Sequence, residues 1–164
     1  MNELERVLVA DAAAAAPEAI VAALPEAAAH RRIEGVPRTI YEELWHIAFW
    51  QQISVDWISG IETPYPEHAP NGFPTSDDVA IESWEKLRKR FLLTLREAGD
   101  AACDVSRLDL LVRCPSSPGR PVRTMTIREQ LVNLSAHNAY HLGRIVLMRQ
   151  MLGLWPPPDG GFTW

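Results

Sequence analysis

The sequence predicts an all-α protein arranged as an antiparallel four-helix bundle, and three observations favour this class. Long segments repeat apolar residues at helical spacing. No segment alternates strongly enough to form a sheet. Three threonines stand three residues before an acid, a pattern typical of reciprocal helix caps: Thr39 with Glu42, Thr75 with Asp78, and Thr126 with Glu129.

The first two predicted helices differ in regularity. Residues 2–24 favour helix, but Pro17 in their interior lacks a backbone donor and would cost roughly 3 kcal/mol. We therefore predict a break near Ala16 and a restart at Pro17. The second helix is predicted from about Thr39 to Ser59, and Gly60 ends it.

The third and fourth predicted helices have the clearest apolar stripes. The third runs from about Ser76 to Ala98 and ends at Gly99, and the fourth runs from about Thr126 to Leu152. The segments 60–74 and 100–123 are predicted loops. The inward residues are Val79, Ala80, Trp84, Leu87, Phe91, Leu95 and Ala98 on the third helix, and Ile127, Leu131, Leu134, Ile145, Met148 and Leu152 on the fourth.

Composition excludes several classes of function. With 47% apolar residues in 164, the chain can bury one sizeable core, so residues 1–164 are expected to form a single domain. The net charge of −5 argues against a nucleic-acid partner, which needs clustered Lys and Arg. No uncharged apolar run reaches about 18 residues, so we expect a soluble protein without a membrane partner. Cys103 and Cys114 are far apart and no signal peptide is visible, so we expect a cytoplasmic location.

Three histidines are the candidate metal ligands. His137 and His141 are four residues apart, so they lie only about 40° apart on a helix and can chelate one ion. His46 shares an apolar stripe with Trp50, Ile53 and Trp57, and should also point inward. Neutral imidazole suits Zn, Ni, Fe and Cu, and three protein ligands leave a position for water or substrate. The alternative is three core histidines that bond to backbone carbonyls or carboxylates.

Other polar residues near the histidines are weaker candidates. Glu42 and Asn133 each precede a histidine by one turn and could orient a ligand, although Glu42 is also a predicted cap. Asn138 and Tyr140 flank the histidine pair and could bond a ligand, although packing explains the tyrosine as well. The two histidines expected at the surface are His30 and His68.

Two features predict close packing. Gly143 inside the fourth helix costs roughly 0.5–1 kcal/mol relative to Ala, so we expect another helix or subunit to approach it closely. Trp45, Trp50 and Trp57 wrap the second helix in apolar surface and imply burial on two sides. The second side packs either in the same core or against a partner in a homodimer.

Three segments resemble a known family. AHNAYHLGRIVL at 136–147, LGLWP at 152–156 and the stretch 35–46 are similar to the DinB-like (damage-inducible, YfiT-related) metal-binding superfamily. The resemblance covers nearly the whole chain. It implies an up-down-down-up four-helix bundle, a divalent metal held by one histidine of the second helix and the histidine pair of the fourth, and frequent homodimers. In this chain the implied metal ligands are His46, His137 and His141.

The chain departs from the family pattern in two places. Residues 12–16 are alanines where a glycine-rich turn is often found, and Trp45 stands where an acid is expected. Both departures leave the three histidines intact. They put in doubt any role in orienting ligands or contacting substrate that those positions have in relatives.

The resemblance implies several activities that share nucleophile activation. We expect a thiol S-transferase, in which a divalent ion (Zn, Ni, Fe or Mn) holds a low-molecular-weight thiol as the thiolate that attacks a small-molecule electrophile. One alternative is a metal-dependent hydrolase that uses metal-bound hydroxide, and another is a non-enzymatic, stress-related or metal-sensing bundle. The absence of an obvious second acid-base residue and the richness in tryptophan favour thiol transfer.

Overall fold

The computed structural model describes residues 1–10, 12 and 14–158, and within these the chain is mostly helical with little sheet. The all-α class is therefore confirmed. The helices are α1 (Glu3–Val9), α2 (Pro17–Val21), α3 (Glu26–Ala29), α4 (Ile40–Ile58), α5 (Ser76–Ile81), α6 (Trp84–Cys103) and α7 (Ile127–Met151), with short 3-10 helices at Ala69–Gly72 and Val105–Arg107. Among the described residues, none of the helices combines the length and the hydropathy that a membrane span requires.

The three predicted caps are all present and begin α4, α5 and α7. In each, the threonine hydroxyl accepts a bond from the backbone N–H three residues on, and the acid there accepts one from the threonine N–H. At α4, for example, Glu42 Oε2 lies 2.7 Å from the backbone nitrogen of Thr39. The predicted extents of the second and fourth helices are confirmed to within a residue or two, because these caps act through neighbours in sequence.

The first predicted helix is interrupted as expected, but over a longer stretch. A helix restarts at Pro17, whereas α1 already ends at Val9. Of the alanine run at 12–16, Ala13 lies outside the described residues.

The prediction of one continuous third helix is wrong. The chain leaves helical geometry at Glu82, and Ser83 caps a new helix by accepting from the Lys86 N–H at 3.4 Å. The carboxylate of Glu26, 58 residues earlier, also accepts from the Trp84 N–H at 3.0 and 3.1 Å. A contact so distant in sequence is invisible to local patterns.

Gly99 does not end α6, which continues to Cys103. A Cβ on Gly99 would lie 3.1 Å from Val9, so the glycine allows α1 to approach α6. The residue therefore serves helix packing here, and the predicted stop was wrong.

The core lies around α4, which packs against both α6 and α7, while α1 packs mainly on α6. The predicted inward stripes are buried with three exceptions, since Ala80 is exposed and Val79 and Leu152 are only partly buried. Of these stripes, Leu87 and Phe91 of α6 and Leu131 and Ile145 of α7 are fully buried. The core also contains four fully buried residues of α4: Ile40, Tyr41, Leu44 and Ile47. The central position of α4 encloses the face that carries His46.

The segment 100–123, predicted as loop, contains the start of a small sheet. Strand β1 (Leu111–Cys114) pairs antiparallel with β2 (Arg123–Thr126), with Leu111 opposite Thr126 and Cys114 opposite Arg123. Four-residue strands give too little alternation to be recognised in a sequence. Because Thr126 is both the last residue of β2 and the cap of α7, the hairpin is fixed beside the first turns of α7.

Candidate metal centre

The structure brings the three predicted histidines together between α4 and α7. One ring nitrogen of each of His46, His137 and His141 lies within 4.8 Å of the others. His46 Nε2 and His137 Nε2 are 3.2 Å apart. Neither remaining histidine joins them, because His30 stacks on Tyr41 and His68 is exposed. This group of imidazoles could hold a metal ion.

The His46 ring is oriented by a carbonyl from the segment before α5. Its Nδ1 lies 2.7 Å from the oxygen of Gly72, and a carbonyl can only accept, so Nδ1 carries the proton. Nε2 therefore presents a lone pair. Phe73 stacks on the His46 ring at 4.2 Å between ring centroids. A Cβ on Gly72 would lie 2.9 Å from Trp50 Nε1, so only glycine fits this approach.

The His141 ring is oriented by a buried carboxylate. Its Nδ1 donates to Glu43 Oε2 at 2.6 Å, and Arg144 donates to Glu43 Oε1 at 2.7 and 3.0 Å. Burial acts to raise the pKa of Glu43, which is only 1% exposed, but the bonds from His141 and Arg144 outweigh it and lower that pKa. The carboxylate stays ionised and fixes the proton on Nδ1, so His141 Nε2 also presents a lone pair.

His137 is held less firmly than the other two rings. Its Nδ1 is buried and makes no hydrogen bond within the described part of the chain. Burial lowers the pKa of His137 to about 4, and the nearby His141 and His46 rings add to the effect. Burial also lowers the pKa of His46, against the opposing bond to Gly72. Both rings are therefore neutral at pH 7 and are ready to act as ligands without losing a proton.

These residues fit a divalent transition metal. Bonds of about 2.0–2.1 Å at a tetrahedral angle place two ligand nitrogens about 3.3 Å apart, and His46 Nε2 and His137 Nε2 are 3.2 Å apart. The outer bonds of His46 and His141 are of the kind that core histidines would also make. What favours a metal is the convergence of one nitrogen from each of the three rings within 4.8 Å.

Sequence reasoning missed the two residues that orient these rings. Glu43 precedes His46 by three residues, a spacing that shares a helix face and could have indicated it. Gly72 lies in a predicted loop and gave no signal. The candidate Glu42 instead completes the cap of α4 and pairs with Arg32 at 3.0 Å.

The other candidates have separate positions. Asn138 is buried and donates to Gln51 Oε1 at 2.7 Å, so it belongs to the core. Tyr140 places its ring edge-on to His141, with centroids 4.9 Å apart, and is 62% exposed. Asn133 lines a cleft that reaches His137. In the described part of the chain, no other element comes within 4 Å of the point that a Cβ on Gly143 would occupy, so no helix of this chain makes the predicted close approach, and approach of a second subunit stays a prediction.

The fold and the histidine group define an all-α protein with a candidate three-histidine metal centre. A family model described as the DinB superfamily matches residues 10–145, a segment that contains all three histidines. The chain belongs to the DinB superfamily. A comparison with curated proteins found no match.

Proposed function

We propose that this protein binds a divalent metal through His46, His137 and His141 and acts as an S-transferase for a low-molecular-weight thiol. The observation that carries the proposal is the convergence of three imidazoles, with one ring nitrogen of each within 4.8 Å of the others and the outer nitrogens of His46 and His141 already bonded. When bound, a divalent ion would stabilise a thiolate at neutral pH by its charge.

The chain's own residues preorganise this centre. Gly72 and Glu43 fix the proton on the outer nitrogens of His46 and His141, so these rings do not need to reorient. Arg144 neutralises Glu43 and keeps its carboxylate in place. Neither cysteine need take part, because a hydrogen bond to Glu5 raises the pKa of Cys103 and desolvation raises the pKa of the buried Cys114 thiol.

Hydrolysis is the alternative chemistry, and the surroundings of the histidines favour it less. Activation of water normally uses a nearby general base. Among the described residues, Glu43 is the carboxylate that contacts the histidines, and both its oxygens are already bonded to His141 and Arg144. A thiolate is itself the nucleophile and needs no such base.

Metal content and thiol-dependent turnover test the proposal together. Protein purified without an affinity tag or chelator should contain near-stoichiometric Zn, Ni, Fe or Mn. His46→Ala and His137→Ala should lose that metal while keeping their helical circular dichroism, and His30→Ala should retain it. Metal-loaded protein should consume chlorodinitrobenzene only when a thiol is added. Absence of metal after reconstitution with each ion would refute the site, and thiol-independent hydrolysis of esters would favour the hydrolase.

We also propose that residues 1–164 form one cytoplasmic domain with the up-down-down-up bundle topology, and that the chain forms a homodimer. The packing of α4 on α6 and α7 supports the bundle. Exposed apolar side chains on α7 support a dimer surface, since Leu147 is 56% and Met151 51% exposed. Light scattering should give the mass of two chains, and Leu147→Glu should give the mass of one.

A further inference from the structure

A cleft beside the histidine group has the size of a small-molecule site. Its volume is about 420 Å³, within the range of roughly 300–1,000 Å³ that is usual for ligand pockets. His137 forms part of its wall. Aromatic rings form much of the remainder, with Trp50 and Tyr65 at 5.0 Å between centroids and Trp57 fixed by a bond from its Nε1 to the Thr63 carbonyl at 2.8 Å.

One residue with a permanent charge lines the same cleft, Arg123 on β2. It is the only Lys, Arg, Asp or Glu among the described residues that line the cleft. Within the described part of the chain, no carboxylate lies in ion-pair range of Arg123. Arg113 on the neighbouring strand differs, because its Nε is 2.7 Å from Glu62. Arg123 is therefore available to an anion in the cleft.

Neutral polar groups complete the wall. Gln130 is buried and its Nε2 donates to Ser54 Oγ at 3.0 Å. Because Ser54 accepts that bond, its hydroxyl proton remains available to a ligand oxygen. No Asp or Glu of the described residues lines the cleft, so no carboxylate in the wall repels an anion.

We propose that this cleft binds a small molecule that carries a carboxylate on a flat apolar body. The carboxylate pairs with Arg123, since a guanidinium matches it with two parallel bonds. The body packs against Trp50 and Tyr65, and its far end reaches His137. This inference names the class of ligand that the proposed metal centre would use. It rests on the proposed function only for the chemistry at the histidines.

Binding of a matched pair of probes tests the inference without turnover. 3-Phenylpropionate and its uncharged amide, 3-phenylpropionamide, are titrated against chelator-treated and zinc-loaded protein, with tryptophan fluorescence and calorimetry as readouts. The acid should bind at least about tenfold more tightly than the amide in both forms of the protein. Arg123→Gln should abolish this preference, and Arg113→Gln, which removes the same charge outside the cleft, should preserve it.

Two results would overturn the inference. Equal affinity for acid and amide would mean that the cleft does not recognise the carboxylate. A preference that persists in Arg123→Gln but vanishes on zinc removal would mean that the carboxylate binds the metal. Failure of the proposed function is separate, because a protein that binds no metal can still show the Arg123-dependent preference.

A second pair of probes identifies the molecule that supplies the carboxylate. N-acetylcysteine and N-acetylcysteinamide are compared on zinc-loaded protein in the same way. An Arg123-dependent preference in both pairs would show that a thiol can also place its carboxylate at Arg123, and one in the phenylpropionate pair alone assigns the carboxylate to the thiol-free substrate. Either supports the inference, and a preference in the thiol pair alone refutes it, because N-acetylcysteine has no flat apolar body.

Discussion

Helix α7 carries polar groups at two places that the fold uses differently. The histidine pair, with His141 buried and His137 half-buried, lies near its middle, and the buried Arg149 lies near its end. Arg149 is 1% exposed, and its guanidinium donates to the carbonyls of Ile20, Ala22 and Leu154. Burial lowers the pKa of this arginine. All three bonds join segments of the fold, so Arg149 ties α2 and the segment after α7 to the helix.

In the histidine group, the hydrogen bonds to the rest of the fold are on the outer nitrogens, and the lone pairs are on the nitrogens that face the other rings. Gly72 and Glu43 hold the outer nitrogens of His46 and His141, while the inner nitrogens meet one another. Burial alone therefore does not separate a structural polar residue from a site. What distinguishes a site is where the lone pairs that make no bond within the fold point. At the histidines these lone pairs point towards one another.

The largest expected effect in this comparison is on stability at Arg149. Arg149→Met leaves three carbonyls without their donor, at about 1–3 kcal/mol for each that stays buried. We expect a loss of about 3–5 kcal/mol in the free energy of unfolding, measured by urea denaturation. Arg96→Met, at an exposed position of α6, should change stability by under about 0.5 kcal/mol. Loss of metal from Arg149→Met protein that is still folded would contradict the distinction between Arg149 and the histidine group.

The next effect is a pH dependence at the histidines. In metal-free protein the folded-state pKa of His137 is about 4, below the ordinary histidine value of 6.5. Between these values the unfolded chain binds more protons, so stability falls as the pH is lowered from about 6.5 towards 4. The loss is roughly 2–3 kcal/mol. Urea denaturation of chelator-treated protein across this range should show it, and His137→Gln should flatten the profile. An unchanged slope in that variant would contradict the assignment.

The fold could be predicted from sequence where its signals are local. The caps of α4, α5 and α7 depend on residues three positions apart, and all three were predicted. The break before α6 was not, because Glu26 reaches Trp84 from 58 residues away.

The same limit applies to the candidate site. The histidines follow from helical spacing, which sequence supplies directly. Glu43 had a weak signal in its spacing from His46, whereas the approach of Gly72 depends on the path of a loop across α4. Tertiary contacts of this kind become visible only once the chain is folded.

A smaller effect should separate Glu43 from an ordinary ion-paired glutamate. Glu43→Gln keeps an acceptor for His141 but removes the charge that fixes its proton, so we expect metal affinity to fall about 10–100-fold. Competition with a chromogenic chelator measures this. Glu82→Gln, which breaks a two-bond pair with Arg90 away from the histidines, should leave the metal affinity unchanged. Equal losses in both variants would indicate a general effect of destabilisation.

The smallest effect concerns Gly72, whose carbonyl orients His46. In Gly72→Ala the added Cβ would lie 2.9 Å from Trp50 Nε1 and 3.5 Å from His46 Nδ1, so the segment must move away from α4. The bond to His46 Nδ1 then lengthens, and we expect a loss of about tenfold in metal affinity, near the lower limit for an outer partner. Gly143→Ala is the matched control, since its Cβ meets nothing within 4 Å in the described part of the chain. Unchanged affinity in Gly72→Ala would show that His46 keeps its orientation through Phe73 stacking alone, and that the carbonyl is dispensable.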